Sequence, residues 1–101
     1  MVTLSKREEY QVLMTRWEDA NPLRQWRQAI KITVAQAASI FGVSIPAVQK
    51  WESGVGGLRR ENMERLIKVL RAPDLDEKWT EWLENKPMFD GPSAVDNAEA
   101  I

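Results

Sequence analysis

The most constraining feature of the 101-residue sequence is the segment TVAQAASIFGVSIPAVQKWESG, from Thr33 to Gly54. Thr33 followed three residues later by Gln36 is a capping box, which begins a helix, and Gly42 provides the left-handed conformation that ends it. Ser44 caps a second helix, which ends near Gly54. The segment therefore predicts two short helices joined by a tight turn.

Apolar and polar residues separate onto two sides of this helix pair. Small residues in the first helix let the two helices approach closely, and apolar residues at helical spacing face a core. These core residues are Phe41, Val43, Val48 and Trp51. The outward side chains at the start of the second helix are Ser44, Ile45, Pro46, Gln49 and Lys50. Such a helix start, flanked by Arg and Lys, has the size and chemistry that fit the major groove of B-DNA.

Capping signals predict two helices before this segment. Ser5 with Glu8 is another capping box, and it predicts a helix over residues 6–19. Asn21 followed by Pro22 marks the next helix start, because Asn caps a helix and Pro is tolerated in the first turn.

Two more helices are predicted after the segment. Apolar residues at helical spacing indicate a helix over about 60–71, and Pro73 breaks the chain. We interpret Asp74 with Glu77 as a further capping box, which begins a last helix ending near Pro87. Because no stretch alternates like a β-strand, the predicted fold class is all-α, with about five or six short helices.

These boundaries divide the chain into an extra N-terminal helix in residues 1–21, a central unit in 22–72, a C-terminal helix in 73–86 and a tail in 87–101. The tail contains Pro, lacks apolar periodicity and is acidic, so we predict that it is disordered.

Charge is distributed unevenly over these parts: residues 1–21 carry a net charge of −1, residues 22–72 carry +6 and residues 73–101 carry −6. A basic centre is typical of a phosphate-binding module, although solvated surface charges give the same count.

The composition excludes several classes of function. The chain has no Cys and no His, and its acidic pairs lie where helix N-termini favour negative charge. We therefore expect no metal, no cofactor and no enzymatic activity. No apolar run approaches the roughly 20 residues of a membrane span, and the N-terminus lacks the apolar core of a signal peptide. We expect a cytoplasmic protein that does not contact membranes.

The stretch from Leu23 to Leu70 resembles the helix-turn-helix domain of the phage-repressor and Cro type, also called the XRE family. The residues that carry the resemblance are Ile32-Thr33, Ala38, Gly42-Val43-Ser44 and Trp51-Glu52-Ser53-Gly54. The resemblance implies a lambda-repressor-like helical bundle that binds double-stranded DNA through the major groove. One departure is Val34, which stands where members of the family often carry a phosphate-contacting Gln.

The resemblance also implies a role for each candidate residue. The base contacts are Ser44, Ile45, Pro46, Gln49 and Lys50, with Lys suited to guanine, Gln to adenine and the apolar pair to thymine methyls. The phosphate contacts are Arg24, Arg27, Lys31, Thr33, Arg59 and Arg60. For each of them, an ordinary solvated side chain is the alternative.

Two copies of such a domain normally bind a pseudo-palindrome, about 34 Å apart, because one helix reads only a short site. We therefore expect a homodimer. The interface candidates on the terminal helices are Tyr10, Leu13, Trp17, Trp79, Trp82 and Leu83, and packing within one chain is the alternative for all of them.

The sequence thus predicts a sequence-specific transcriptional regulator, in particular a repressor of its own operon in a bacterium, plasmid or phage. The alternative is an antitoxin or another protein-interaction module on the same scaffold, which binds a protein partner through its terminal helices.

Overall fold

The computed structural model describes residues 3–88, which form six α-helices. They are α1 (Lys6–Asp19), α2 (Pro22–Ala29), α3 (Val34–Phe41), α4 (Ile45–Ser53), α5 (Arg60–Leu70) and α6 (Leu75–Glu84). No strand occurs within 3–88, so the all-α prediction is confirmed. Apart from Pro87 and Met88, the predicted tail lies outside the described residues.

The capping signals of the sequence set most of the helix starts. The Ser5 hydroxyl accepts the backbone N–H of Glu8 at 3.1 Å, and the Glu8 carboxylate accepts the N–H of Ser5 at 2.8 Å. Thr33 and Gln36 form the same reciprocal pair at the start of α3. Two of the three predicted capping boxes, at Ser5 and Thr33, are therefore confirmed. Single side-chain caps begin α2 and α4, from Asn21 and Ser44.

The predicted capping box of Asp74 and Glu77 is wrong. Asp74 precedes α6 with φ −96° and ψ 11°, not with the extended backbone that lets a cap side chain reach back, and it makes no cap hydrogen bond. Its carboxylate instead pairs with Lys78 Nζ at 3.2 Å. The acidic first turn of α6, with Asp76 and Glu77, still complements the helix dipole.

All six helices contribute buried side chains to one hydrophobic core. Of the four core residues predicted in the central segment, Phe41, Val48 and Trp51 are buried and Val43 is half-buried against them. The Phe41 ring meets Trp51 edge-on, with centroids 6.2 Å apart. Leu23 and Leu66, from α2 and α5, are fully enclosed. The buried faces of α3 and α4 fix which side of α4 remains exposed.

The first and last helices are joined by Trp17 and Trp82. Their indole rings stack with centroids 4.1 Å apart and planes within 1° of parallel. Each indole N–H donates to the backbone carbonyl of the other residue at 2.6 Å. Because both buried N–H groups are satisfied in this exchange, the ring contact carries no polar penalty.

Gly54 brings the end of α4 against this tryptophan pair. It has φ +74°, and a Cβ at this position would lie 2.7 Å from Trp17 Cη2 and 2.9 Å from Trp82 Cη2. Gly42 has a similar φ of +70°, but a Cβ there would meet nothing within 4 Å. Both positions need the left-handed backbone that glycine adopts, but only Gly54 also needs the missing side chain.

We predict that Gly54→Ala destabilises the protein more than Gly42→Ala. The Gly42 variant should lose about 1 kcal/mol of unfolding free energy through backbone strain alone. The Gly54 variant should lose at least about 1 kcal/mol more, because the methyl group displaces two packed rings. Urea denaturation followed by tryptophan fluorescence measures both. Equal losses would mean that the two tryptophan rings move aside for the methyl group without lowering the unfolding free energy.

Candidate nucleic-acid interface

The N-terminal part of α4 exposes all five side chains predicted to contact bases: Ser44, Ile45, Pro46, Gln49 and Lys50. Val48 and Trp51 point the other way into the core and hold the helix in this orientation. Pro46 lies in the first turn, where its missing N–H removes no intrahelical hydrogen bond. Neither Gln49 nor Lys50 uses its side chain in a hydrogen bond or ion pair with any residue of 3–88.

The opposite end of α4 is held to α2 by a buried carboxylate. Glu52, whose side chain is 3% exposed, accepts hydrogen bonds from Arg24 Nε at 3.2 Å and from Arg27 Nε at 2.7 Å. Arg27 Nη2 adds a third bond at 2.9 Å, so this guanidinium is bidentate. The hydrogen bond to Glu52 raises the pKa of Arg27 above its ordinary value.

This cluster engages two of the arginines predicted to contact phosphates. Arg27 also donates to the carbonyl of Ile32 at 3.2 Å, and Arg24 also pairs with Asp19 at 3.2 Å. The two guanidinium charges are therefore balanced by two carboxylates within the protein. This pairing was not predicted from the sequence. The sequence feature that could have indicated the pairing is Glu52, directly after the core residue Trp51. Arg24 and Arg27, three residues apart on α2, are its partners.

The other predicted phosphate contacts differ in how much they are already engaged. Lys31 and Arg59 are exposed and have no ion pair within the described part of the chain. The Thr33 hydroxyl is exposed but caps α3. Arg60 pairs with Asp76 and lies 3.4 Å from a carboxylate oxygen of Glu64. The hydrogen bond to Asp76 raises the pKa of Arg60.

A further arginine, not predicted, supports the turn between α3 and α4. Arg65 Nη1 donates to the backbone carbonyl of Phe41 at 2.9 Å, at the C-terminal end of α3. This bond satisfies a carbonyl that the helix itself leaves unpaired. It ties α5 to the turn that positions α4.

Comparison with protein-family models identifies the family to which this helical arrangement belongs. A helix-turn-helix family model, HTH_3, matches residues 23–76, more than half of the chain. The chain belongs to the XRE-type helix-turn-helix family. This confirms the resemblance stated above, and it makes α3 and α4 the helix-turn-helix pair, with α4 as the recognition helix. No curated protein and no solved structure is significantly similar to the chain.

The helix-turn-helix match covers α2–α5 and does not include α1 or most of α6. These two helices hold the six predicted interface residues. Trp17, Trp79 and Trp82 are buried within the chain, where Trp79 meets Trp82 edge-on at 5.6 Å. Packing within one chain, the alternative stated above, thus covers the three tryptophans. Tyr10 is half-buried, whereas Leu13 and Leu83 are exposed.

Neither a metal-binding cluster nor a membrane-spanning helix occurs in the described residues. Residues 3–88 contain no group of three or more acidic, His or Cys side chains arranged to hold a metal ion. None of the helices in this range is long and apolar enough to cross a membrane.

We predict that Arg27→Ala lowers the unfolding free energy by about 2–3 kcal/mol, because it removes the bidentate partner of a buried carboxylate. Arg59→Ala, which removes an exposed arginine without an ion pair, should change it by no more than about 0.5 kcal/mol. Thermal and urea unfolding compare the two variants. If Arg27→Ala is as mild as its control, the Glu52 cluster does not hold α4.

Proposed function

We propose that this protein is a sequence-specific transcriptional regulator that binds an operator upstream of its own gene as a homodimer and represses its own operon. Its membership of a DNA-binding helix-turn-helix family supports DNA as the ligand. The observation that carries the proposal is the exposed start of α4, where the side chains of Gln49 and Lys50 have no polar partner among residues 3–88.

The chemistry of this surface suits direct readout in the major groove. Lys50 can donate to guanine O6 and N7, and the amide of Gln49 can pair with adenine N6 and N7. Ile45 and Pro46 present apolar atoms suited to a thymine methyl group. Glu52, the one acidic residue of α4, is buried and paired, so it does not place an unbalanced negative charge beside DNA.

Phosphate contacts hold the register of such a helix without reading sequence. Lys31 and Arg59 are suited to this role because both are exposed and unpaired within residues 3–88. Arg60 is suited to it less, because Asp76 and Glu64 already balance its charge. We therefore rank Lys31 and Arg59 above Arg24, Arg27 and Arg60 as phosphate contacts.

We predict that the double variant Gln49→Ala/Lys50→Ala loses preference for the protein's own upstream DNA. The loss should be roughly 1–3 kcal/mol for each base contact, and binding to an unrelated duplex of equal length should weaken far less. Fluorescence anisotropy titrations with both duplexes measure the difference.

The matched control is Gln25→Ala/Lys78→Ala, which removes the same side-chain types. Gln25 and Lys78 line a groove between α1, α2 and α6. This control should keep full specificity. If wild-type protein binds both duplexes equally or not at all, the regulator proposal fails, and the antitoxin or protein-interaction alternative replaces it.

We predict different salt dependences for two neighbouring arginines. Arg59→Ala should weaken binding to all duplexes alike and reduce the slope of log K against log salt by about 1. Arg60→Ala should reduce it by less, because its charge is balanced within the protein. Binding titrations across a series of salt concentrations test this. A larger effect from Arg60 would mean that DNA displaces its carboxylate partners.

A further inference from the structure

The N-terminal helix α1 is attached to the rest of the protein along one side and mainly near its end. Of its 14 residues only Trp17 is buried, while Tyr10 and Met14, on the same side of the helix, are half-buried. Leu13, one turn before Trp17 at the edge of this contact side, is 48% exposed, and Val12, further around the helix, is 38% exposed. A helix outside the family domain thus presents apolar side chains to solvent.

Charged side chains flank this exposed apolar pair. Glu9 lies one turn before it and Arg16 one turn after it, so positions 9, 12, 13 and 16 share one face of the helix. Both charged side chains are exposed, and neither forms an ion pair with any residue from 3 to 88. The face therefore has an exposed apolar centre with a negative charge toward the N-terminal end of the helix and a positive charge toward its C-terminal end.

This face is complementary to a second copy of itself. With the two helices antiparallel and a twofold axis between positions 12 and 13, the apolar centres meet and each Glu9 faces Arg16 of the second copy. A parallel pair would bring like charges together, so the charge pattern favours the antiparallel arrangement.

We propose that α1 is the dimerisation surface of this protein and that its occupant is the α1 helix of a second copy, packed antiparallel. The proposal rests on the homodimer of the proposed function and adds the surface that forms it. One helix face from each copy buries less than the roughly 1,200 Å² of a standard interface, so the dimer is weak and reversible. DNA with two half-sites then stabilises it by holding two protomers together.

Charge reversal tests the antiparallel pairing. Sedimentation equilibrium of the full chain, at concentrations up to about 100 µM, should detect a reversible dimer of the wild-type protein. Glu9→Arg or Arg16→Glu alone should weaken it at least about tenfold, because each places two like-charged pairs in the interface. An equimolar mixture of the two variants should form a heterodimer, and the double variant Glu9→Arg/Arg16→Glu should restore self-association.

The matched control is Glu84→Arg, which reverses an exposed glutamate on α6 that has no ion pair among residues 3–88, and it should leave the dimer unchanged. A wild-type protein that stays monomeric over the whole range would overturn the proposal. So would single reversals that leave the dimer intact, or a mixture that forms no heterodimer.

Binding to a duplex with a single half-site separates this proposal from the proposed function. Each α1 reversal variant should bind such a duplex like the wild-type protein and lose only the advantage of a two-half-site duplex. Loss of binding to the single half-site would contradict the assignment of α1 to dimerisation alone. Wild-type protein that dimerises but binds no DNA would remove the regulator function and leave the interface standing.

Discussion

One buried carboxylate ties the C-terminal end of the recognition helix to α2, while burial of Val48 and Trp51 sets which side of the helix is exposed. Glu52 lies at the C-terminal end of α4 with its side chain 3% exposed, where an unpaired negative charge would be strongly unfavourable. Two guanidinium groups from α2 surround it, and one of them binds it through two nitrogen atoms. Because α2 packs into the core through Leu23, this charge cluster connects the recognition helix to the interior of the bundle. The exposed start of α4 is thereby oriented from its far end.

The C-terminal end of α4 also contacts α1 and α6, the two helices that lie wholly or mostly outside the matched family domain. Gly54 follows Glu52 by two residues and contacts the stacked rings of Trp17 and Trp82 with no side chain between them. The first and last helices are therefore seated against the point where the recognition helix ends. A change in how the terminal helices pack would act on α4 at Gly54, close to the carboxylate that orients it. Dimerisation through α1 would place the second copy on the helix that carries one of these rings.

Local features of the fold could be predicted from the sequence, and long-range pairings could not. The capping boxes at Ser5 and Thr33 involve side chains and backbone only three residues apart, so their spacing alone specifies them. The same spacing rule predicted a capping box at Asp74 that does not form, because the backbone there is not extended, and the Asp74 carboxylate pairs with Lys78 instead. The exchange of hydrogen bonds between Trp17 and Trp82 joins residues 65 positions apart. No local pattern in the sequence specifies this exchange.

The candidate site, like the fold, was predictable only in its local features. Which side chains of α4 are exposed follows from helix periodicity, whereas which charges are paired depends on the tertiary fold. All five positions expected to face outward on α4 do so, since burial of Val48 and Trp51 leaves that face no other direction. The net charge of +6 over residues 22–72, however, counts Arg24, Arg27 and Arg60 as if they were available to a ligand. Glu52, Asp19, Glu64 and Asp76 already bind them. Two of those four carboxylates lie outside the central unit, so a charge count over the domain overstates the field that DNA would meet. The cations that remain unpaired in the described chain decide that field, and three of them, Lys31, Lys50 and Arg59, are among the residues assigned to DNA.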